Sequence, residues 1–221
     1  MKLLNRDIKL VIFDLDGTLI DSTAIWAKID EEFFARRNRP LPPTYGAEIA
    51  HVGLKKGAEI TVAKYCPGEK EEDIIAEWKY LSYEQYAYHI PLKPYAKELL
   101  DALKEKGVKL AVATANSKDL YEPCLKRLQI LDDFDFIIDV NRTKEGKNSS
   151  EIYDLAAKEM GVPKENVAIF EDLMEAMRTA FSAGYLTFGV YDPSTTKDEE
   201  RNKTHCHRFL HSLKEALDII E

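Results

Sequence analysis

The stretch Lys9-Leu10-Val11-Ile12-Phe13-Asp14-Leu15-Asp16-Gly17-Thr18 carries the strongest structural signal in this chain. Its first half is a short, β-branched apolar run, the pattern of a strand buried on both faces of a parallel sheet. Its second half sets two carboxylates, two positions apart, directly after that strand, where open α/β sheets place their ligands. Gly17 lets the backbone turn sharply and turn amides toward an anion. A plain turn has the same letters. A calcium loop needs its glycine at the sixth position and a later Glu, whereas here it is fourth from Asp14, so that reading fails.

Further apolar runs recur outward from this point, at residues 109–113 (KLAVA), 134–140 (FDFIIDV), 167–170 (VAIF) and 186–190 (LTFGV). Amphipathic helical patterns at 96–106, 151–160 and 172–183 fall between them and stop at Gly107, Gly161 and Gly184, natural C-cap positions. Strand and helix in alternation predict an α/β fold, a doubly wound parallel sheet. The connection after the first strand is too long for that scheme. Residues 22–87 carry helical patterns at 23–37, 45–63 and 69–89, are punctuated by Pro40-Leu41-Pro42-Pro43, and return through Pro91-Leu92-Lys93-Pro94. An α/β core of residues 1–20 and 92–221 with an all-helical insertion over 21–91 is therefore expected. There is no internal repeat, and the run KDEER at 197–201 reads as a solvated loop.

A length of 221 residues suits one domain with an insertion, and 45% hydrophobic with 32% charged residues excludes collagen-like, low-complexity and disordered classes. No stretch approaches the ~18 apolar residues of a membrane span, and Asn5, Arg6, Asp7 and Lys9 interrupt the N-terminus, so a cytoplasmic protein with no membrane partner is expected. Cys66, Cys124 and Cys206 are odd in number and widely spaced, which fits reduced thiols. A net charge of -8 opposes nucleic-acid binding. No obligatory protein partner is evident.

Three more polar signals follow the later apolar runs: Thr114-Ala115-Asn116, Gly146-Lys147 and Glu171-Asp172. Singly each has a bland reading, as a helix cap, a loop lysine or an N-cap. Together they bring a hydroxyl, a cation and two carboxylates to the sheet edge that bears Asp14. Carboxylates of Asp14, Asp16, Glu171 and Asp172 crowded together would repel one another. Mg²⁺, a hard cation that takes a few carboxylates, water and substrate phosphate oxygens, removes the conflict. Lys147 and Thr114 would complete a receptor for a phosphoryl group, and attack by a carboxylate on phosphorus would give an aspartyl-phosphate.

With these motifs in this order, nearly the whole chain resembles the haloacid dehalogenase superfamily of phosphatases, in the subgroup with a helical cap inserted after the first motif, which includes β-phosphoglucomutase and phosphoglycolate phosphatase. The resemblance implies a Rossmann-like core, Asp14 as nucleophile and Asp16 as general acid/base. It implies Mg²⁺ on Asp14, the Asp16 carbonyl and Asp172, with Glu171 on a metal-bound water. Thr114 and Lys147 would hold phosphate, with Ala115, Asn116 and the Leu15 and Asp16 amides. The insertion would be a mobile cap. Departures are the absence of prolines after Lys147, Leu173 and Ala176 where Ser and Gly are common, and Tyr95 in place of a usual Gly.

Dehalogenases and phosphonoacetaldehyde hydrolases carry a different residue where Asp16 stands, and a β-phosphoglucomutase would carry His where Trp26 stands. The expected activity is therefore Mg²⁺-dependent hydrolysis of a small phosphorylated metabolite. The alternatives are a sugar-phosphate mutase or a non-catalytic phosphate-binding protein on the same scaffold. A P-loop fails because Asn148 follows Lys147 and Asn141 stands where the first Gly belongs. His205, Cys206, His207 and His211 are too close in sequence to close a tetrahedron easily and read as a surface cluster. Trp78, Tyr80, Tyr83, Tyr86 and Tyr88 read as cap packing rather than a stacking platform. Lys56, between Gly53 and Gly57, is expected in a helix-to-helix turn, either as a cation toward the substrate or as a solvated lysine.

Overall fold

The computed structural model describes residues 1–49, 53–196 and 199–220. The chain forms two compact units, Met1–Thr23 with Ile90–Glu221, and Ala24–His89. The first opens on an antiparallel hairpin, β1 (Lys2–Leu3) and β2 (Arg6–Asp7), followed by β3 (Leu10–Phe13). The second holds α1 (Ile25–Ala35), α2 (Tyr45–Ile49), α3 (Gly53–Lys64) and α4 (Glu71–Tyr88). Back in the first unit come α5 (Ala96–Glu105), β4 (Lys109–Thr114), α6 (Lys118–Arg127), β5 (Phe136–Asp139), α7 (Glu151–Glu159), β6 (Val167–Glu171) and α8 (Met174–Ser182). β7 (Leu186–Val190), α9 (Glu199–Lys203), β8 (Arg208–Leu210) and α10 (Lys214–Leu217) complete it. Among the described residues, no helix is long and apolar enough to cross a membrane.

The main sheet is six-stranded in the order β5-β4-β3-β6-β7-β8, and every pairing is parallel. Strands buried on both faces alternate their side chains between two cores. Leu10, Ile12, Ala111, Ala113, Val167 and Ile169 share one core with residues of α7 and α8. In the alternate positions, Phe13 pairs in register with Phe170 and Phe170 with Phe188. Their ring centroids are 4.9 and 4.7 Å apart, and all three side chains are buried. This ladder stands at the last residue of β3 and one residue short of the carboxyl end of β6.

The chain leaves and re-enters the first unit side by side. Ile20 bridges Leu92, the Asp21 amide donates to the Pro91 carbonyl at 3.0 Å, and the Lys93 amide donates to the Leu19 carbonyl at 2.8 Å. Tyr95, where a glycine is usual in the family resembled, adopts φ 67°, the left-handed region. That conformation costs a side-chain-bearing residue about 1–2 kcal/mol.

Several local expectations need correction. The 45–63 pattern is two helices, α2 and α3, with residues 50–52 between them outside the described set. Lys56 thus lies within α3, not in a turn, because neither flanking glycine interrupts the helix. Glu199–Lys203 is a short helix rather than a loop, Lys203 pairing with Glu199 at 2.7 Å and Glu200 at 2.9 Å; Lys197 and Asp198 of that run lie outside the described residues. The β1–β2 hairpin and β8 had no counterpart in the sequence reading, since strands of two and three residues are too short to show a period.

Candidate active site

The register of β3 against β6 builds the site. With Phe13 opposite Phe170, the next residues, Asp14 and Glu171, emerge together at the carboxyl end of the sheet, and the Asp14 amide donates to the Phe170 carbonyl at 2.9 Å. Asp172 follows in a bend; the N-cap of α8 is Leu173, so helix capping does not account for Asp172. Oxygens of Asp14, Glu171 and Asp172 lie within 4.8 Å of one another, and all three residues are buried. Lys147 reaches in from the β5–α7 connection and donates to Asp14 Oδ1 and, at 2.5 Å, to Glu171 Oε1. The Tyr153 hydroxyl of α7 donates to the same Glu171 oxygen at 2.9 Å.

Gly17 is the residue this cluster cannot do without. Its φ of +82° suits glycine, and a Cβ there would stand 2.4 Å from Asp172 Oδ2. The Lys93 ammonium, in turn, holds the Gly17 carbonyl at 2.6 Å, the Tyr191 carbonyl at 2.8 Å and Asp192 Oδ2 at 3.1 Å.

The charges do not balance within the cluster: three carboxylates face one ammonium. Burial, reinforced by the Asp14 charge, pushes the Glu171 carboxyl up to about 7 against the pull of Lys147 and Tyr153. Burial, then Asp14 and Glu171, holds Asp172 well above the usual carboxylate range. Burial works against the Lys147 charge, yet Asp14 and Glu171 outweigh it and raise the ammonium. Glu171 Oε2 and Asp172 Oδ2 are buried with no hydrogen-bond partner among the described residues. Orphaned carboxylate oxygens are costly. The donor set fits a hard divalent cation: opposite ligands of a Mg²⁺ ion with ~2.1 Å bonds stand ~4 Å apart, close to the spread seen here.

Asp16 belongs to the site but not to the carboxylate cluster. Ser22 Oγ donates to its Oδ1 at 2.6 Å and Asn116 Nδ2 to its Oδ2 at 2.5 Å, which orients the carboxylate and corrects the expectation of four carboxylates crowded in one group. Thr114, buried at the end of β4 beside β3, accepts the Asn116 amide on Oγ1 at 3.0 Å; Leu15 is buried and Ala115 exposed. Lys56 is 62% exposed and pairs with Glu59 at 2.7 Å within its own helix. The histidines are not drawn together: the Arg6 guanidinium and the His207 ring are hydrogen-bonded at 3.2 Å, whereas His211 pairs with Glu199 at 3.0 Å. Of the aromatics, Trp78 and Tyr86 are buried and Tyr80, Tyr83 and Tyr88 exposed. Ser22, Tyr153 and Lys93 escaped the sequence reading, because a serine, a tyrosine and a lysine outside any motif carry no signal until the fold brings them to their partners.

Comparison with known proteins agrees with this geometry. A family described as haloacid dehalogenase-like hydrolase matches residues 8–184. The phosphorylated carbohydrates phosphatase of Thermotoga maritima is 26% identical over 181 residues, covering 80% of this chain and 82% of the relative. The β-phosphoglucomutase of Bacillus subtilis is 29% identical, covering 83% of each chain. The crystal structure of CbbY from Rhodobacter sphaeroides in complex with phosphate superposes with a TM-score of 0.75 at 25% identity, over 94% of this chain and 96% of that one.

Proposed function

Since this chain belongs to the haloacid dehalogenase-like hydrolases and is a phosphate-ester hydrolase, we propose that it hydrolyses a small phosphorylated metabolite with Mg²⁺, through an aspartyl-phosphate on Asp14. The observation that carries this reading is the buried cluster of three carboxylates and one ammonium at the ends of neighbouring strands. A carboxylate oxygen of Asp14 attacks phosphorus as the ester oxygen departs, and Asp16 gives that oxygen its proton. Asp16 then takes a proton from the water that cleaves the acyl phosphate, restoring Asp14 and releasing phosphate. Lys147 and Thr114, with the amides of Leu15, Asp16, Ala115 and Asn116, hold the non-bridging oxygens.

Asp14, Asp172 and the Asp16 carbonyl would hold the metal, with Glu171 orienting one of its waters. Bound there, Mg²⁺ supplies positive charge that offsets charge on the transferring phosphoryl group. Lys147 changes partners as substrate binds, from carboxylates to phosphate. The relative that acts on phosphorylated carbohydrates supports a sugar phosphate as substrate class.

The test is turnover of an aryl phosphate and a panel of sugar phosphates by pure protein. EDTA and Asp14→Asn should each abolish release of inorganic phosphate; wild-type kcat in Asp14→Asn would sink the mechanism. The mutase relative makes a second reading testable in the same assay. A mutase would convert a hexose 1-phosphate into the 6-phosphate without net phosphate release.

A further inference from the structure

The proposed chemistry leaves a buried ion pair unused, Lys93 with Asp192. The Lys93 side chain is 13% exposed and that of Asp192 not at all. Burying two charges costs the water of both, so such a pair is weak evidence for stability and raises the question of what geometry it fixes.

Lys93 stands where the chain re-enters the first unit, and its ammonium serves acceptors from two separate loops. The Gly17 carbonyl belongs to the turn after β3, whereas the Tyr191 carbonyl and Asp192 Oδ2 open the connection after β7. An ammonium has three donors, and these three acceptors use all of them. The connection after β7 is in turn built on Asp192. Its Oδ1 accepts from the Thr23 hydroxyl at 2.8 Å, the Ser194 amide at 3.0 Å and the Ser194 hydroxyl at 2.7 Å. Its carbonyl accepts the Thr196 amide at 2.9 Å, and its own amide donates to Thr196 Oγ1 at 3.2 Å. Thr195 is enclosed by that turn.

Asp172 lies between the two loops. On the first, Gly17 packs so closely that a Cβ would stand 2.4 Å from Asp172 Oδ2, and the Thr18 hydroxyl donates to Oδ1 at a long 3.4 Å. On the second, the Thr195 hydroxyl pulls the Asp172 carboxyl down against the burial that holds it up. Thr195 Oγ1 and Asp172 Oδ2 are both buried, and neither has a partner of ordinary hydrogen-bond geometry among the described residues. The next residue, Leu173, is apolar and 43% exposed and offers Asp172 nothing. The orientation of Asp172 therefore depends on the spacing of two loops rather than on a short bond of its own.

We propose that Lys93 is a positioning residue of the metal site: by holding Gly17 and Asp192 at once it sets the spacing of the two loops around Asp172, and Thr195 completes their grip on that carboxylate. The inference rests on the reading of Asp172 as a Mg²⁺ ligand. Partners that orient a metal's ligands typically account for ~10–100-fold of its affinity.

The test uses the full-length protein and Mg²⁺ alone, with no substrate. The melting temperature of EDTA-treated protein is followed through a Mg²⁺ titration at pH 8, and the metal affinity is taken from the stabilisation relative to each variant's own metal-free value. Lys93→Met should bind Mg²⁺ at least tenfold more weakly than wild type. Thr195→Val, which removes the hydroxyl and keeps the shape, should weaken it at least fivefold, and Thr195→Ser should restore it. Val162→Ala, a buried position between α7 and β6 at the end of the sheet away from the site, should lower the metal-free melting temperature and leave Mg²⁺ affinity unchanged. Wild-type affinity in Thr195→Val or in a folded Lys93→Met, or an equal loss of affinity in Val162→Ala, would overturn this inference and leave the phosphatase reading standing. If Lys93→Met does not fold, Thr195→Val decides alone. A wild-type protein whose melting temperature does not respond to Mg²⁺ would overturn both.

Discussion

Asp16 is oriented before any substrate arrives, its two oxygens taken by Ser22 and Asn116. An acid fixed in this way matters most when the departing oxygen is a poor leaving group, where a positioned proton donor typically supplies ~10²–10⁴-fold. Asp16→Ala should therefore slow phosphoenzyme formation from a sugar phosphate far more than from an aryl phosphate in single-turnover measurements. Equal losses would remove the acid role. Gly17 gives a second test at this scale. Gly17→Ala meets both an unfavourable φ and the Asp172 carboxylate, so it should cost about 1–3 kcal/mol in denaturant unfolding and most of the turnover; wild-type stability would show that the loop relaxes freely. Asp14, Asp16, Lys147, Glu171 and Asp172 were legible because each abuts an apolar strand or a glycine in a contiguous motif. The hydrogen bonds of Tyr153 and Ser22 were not, since which carboxylate a lone hydroxyl reaches depends on packing.

At the scale of elements, the positions of the carboxylates are set by strands more than by loops. The Phe13–Phe170–Phe188 ladder fixes the register that delivers Asp14 beside Glu171, and slipping β6 by one residue would turn its side chains to the opposite face. Lys93 does comparable work on the first loop, joining Gly17 to the end of β7 through Tyr191 and Asp192. Asp192 is fully buried, so Lys93→Met strands its charge and should cost about 3–5 kcal/mol, read by denaturant unfolding. A loss below about 1 kcal/mol would mean that Thr23 and Ser194 satisfy Asp192 unaided. The long strands and the helices that cover them were legible because burial on both faces writes an uninterrupted apolar run. β8 and the opening hairpin were not, and α3 was misread at Lys56 because glycine signals a turn on average while a helix with favourable packing absorbs it.

For the whole molecule, the acids raised by burial predict a pH dependence of unusual sign. Glu171, held up to about 7, and Asp172, held well above its normal range, are favoured protonated in the fold. Each contributes stability that is complete below its unfolded pKa near 4 and lost as pH rises through the folded value. Metal-free protein in EDTA should therefore melt at a lower temperature at pH 8 than at pH 5.5, and Asp172→Asn should shrink that difference. Mg²⁺ binds the ionised carboxylates, so its stabilisation should grow with pH. His207, held low by burial and Arg6, acts in the opposite direction, and the surface acids held low by lysines act nearer pH 4. A metal-free melting temperature that is flat or rises over this interval would contradict the charge assignment. The paired crossings at Ile20–Leu92 and Asp21–Pro91 have a consequence of a different kind. To the sheet, everything between them is one closed loop, and the entropy of closing a loop grows only with the logarithm of its length, about 0.6 kcal/mol per doubling. The junction is thus a grafting port: a foreign segment inserted there has to match only the gap between two neighbouring chain ends, and the strand register behind it is left as it was.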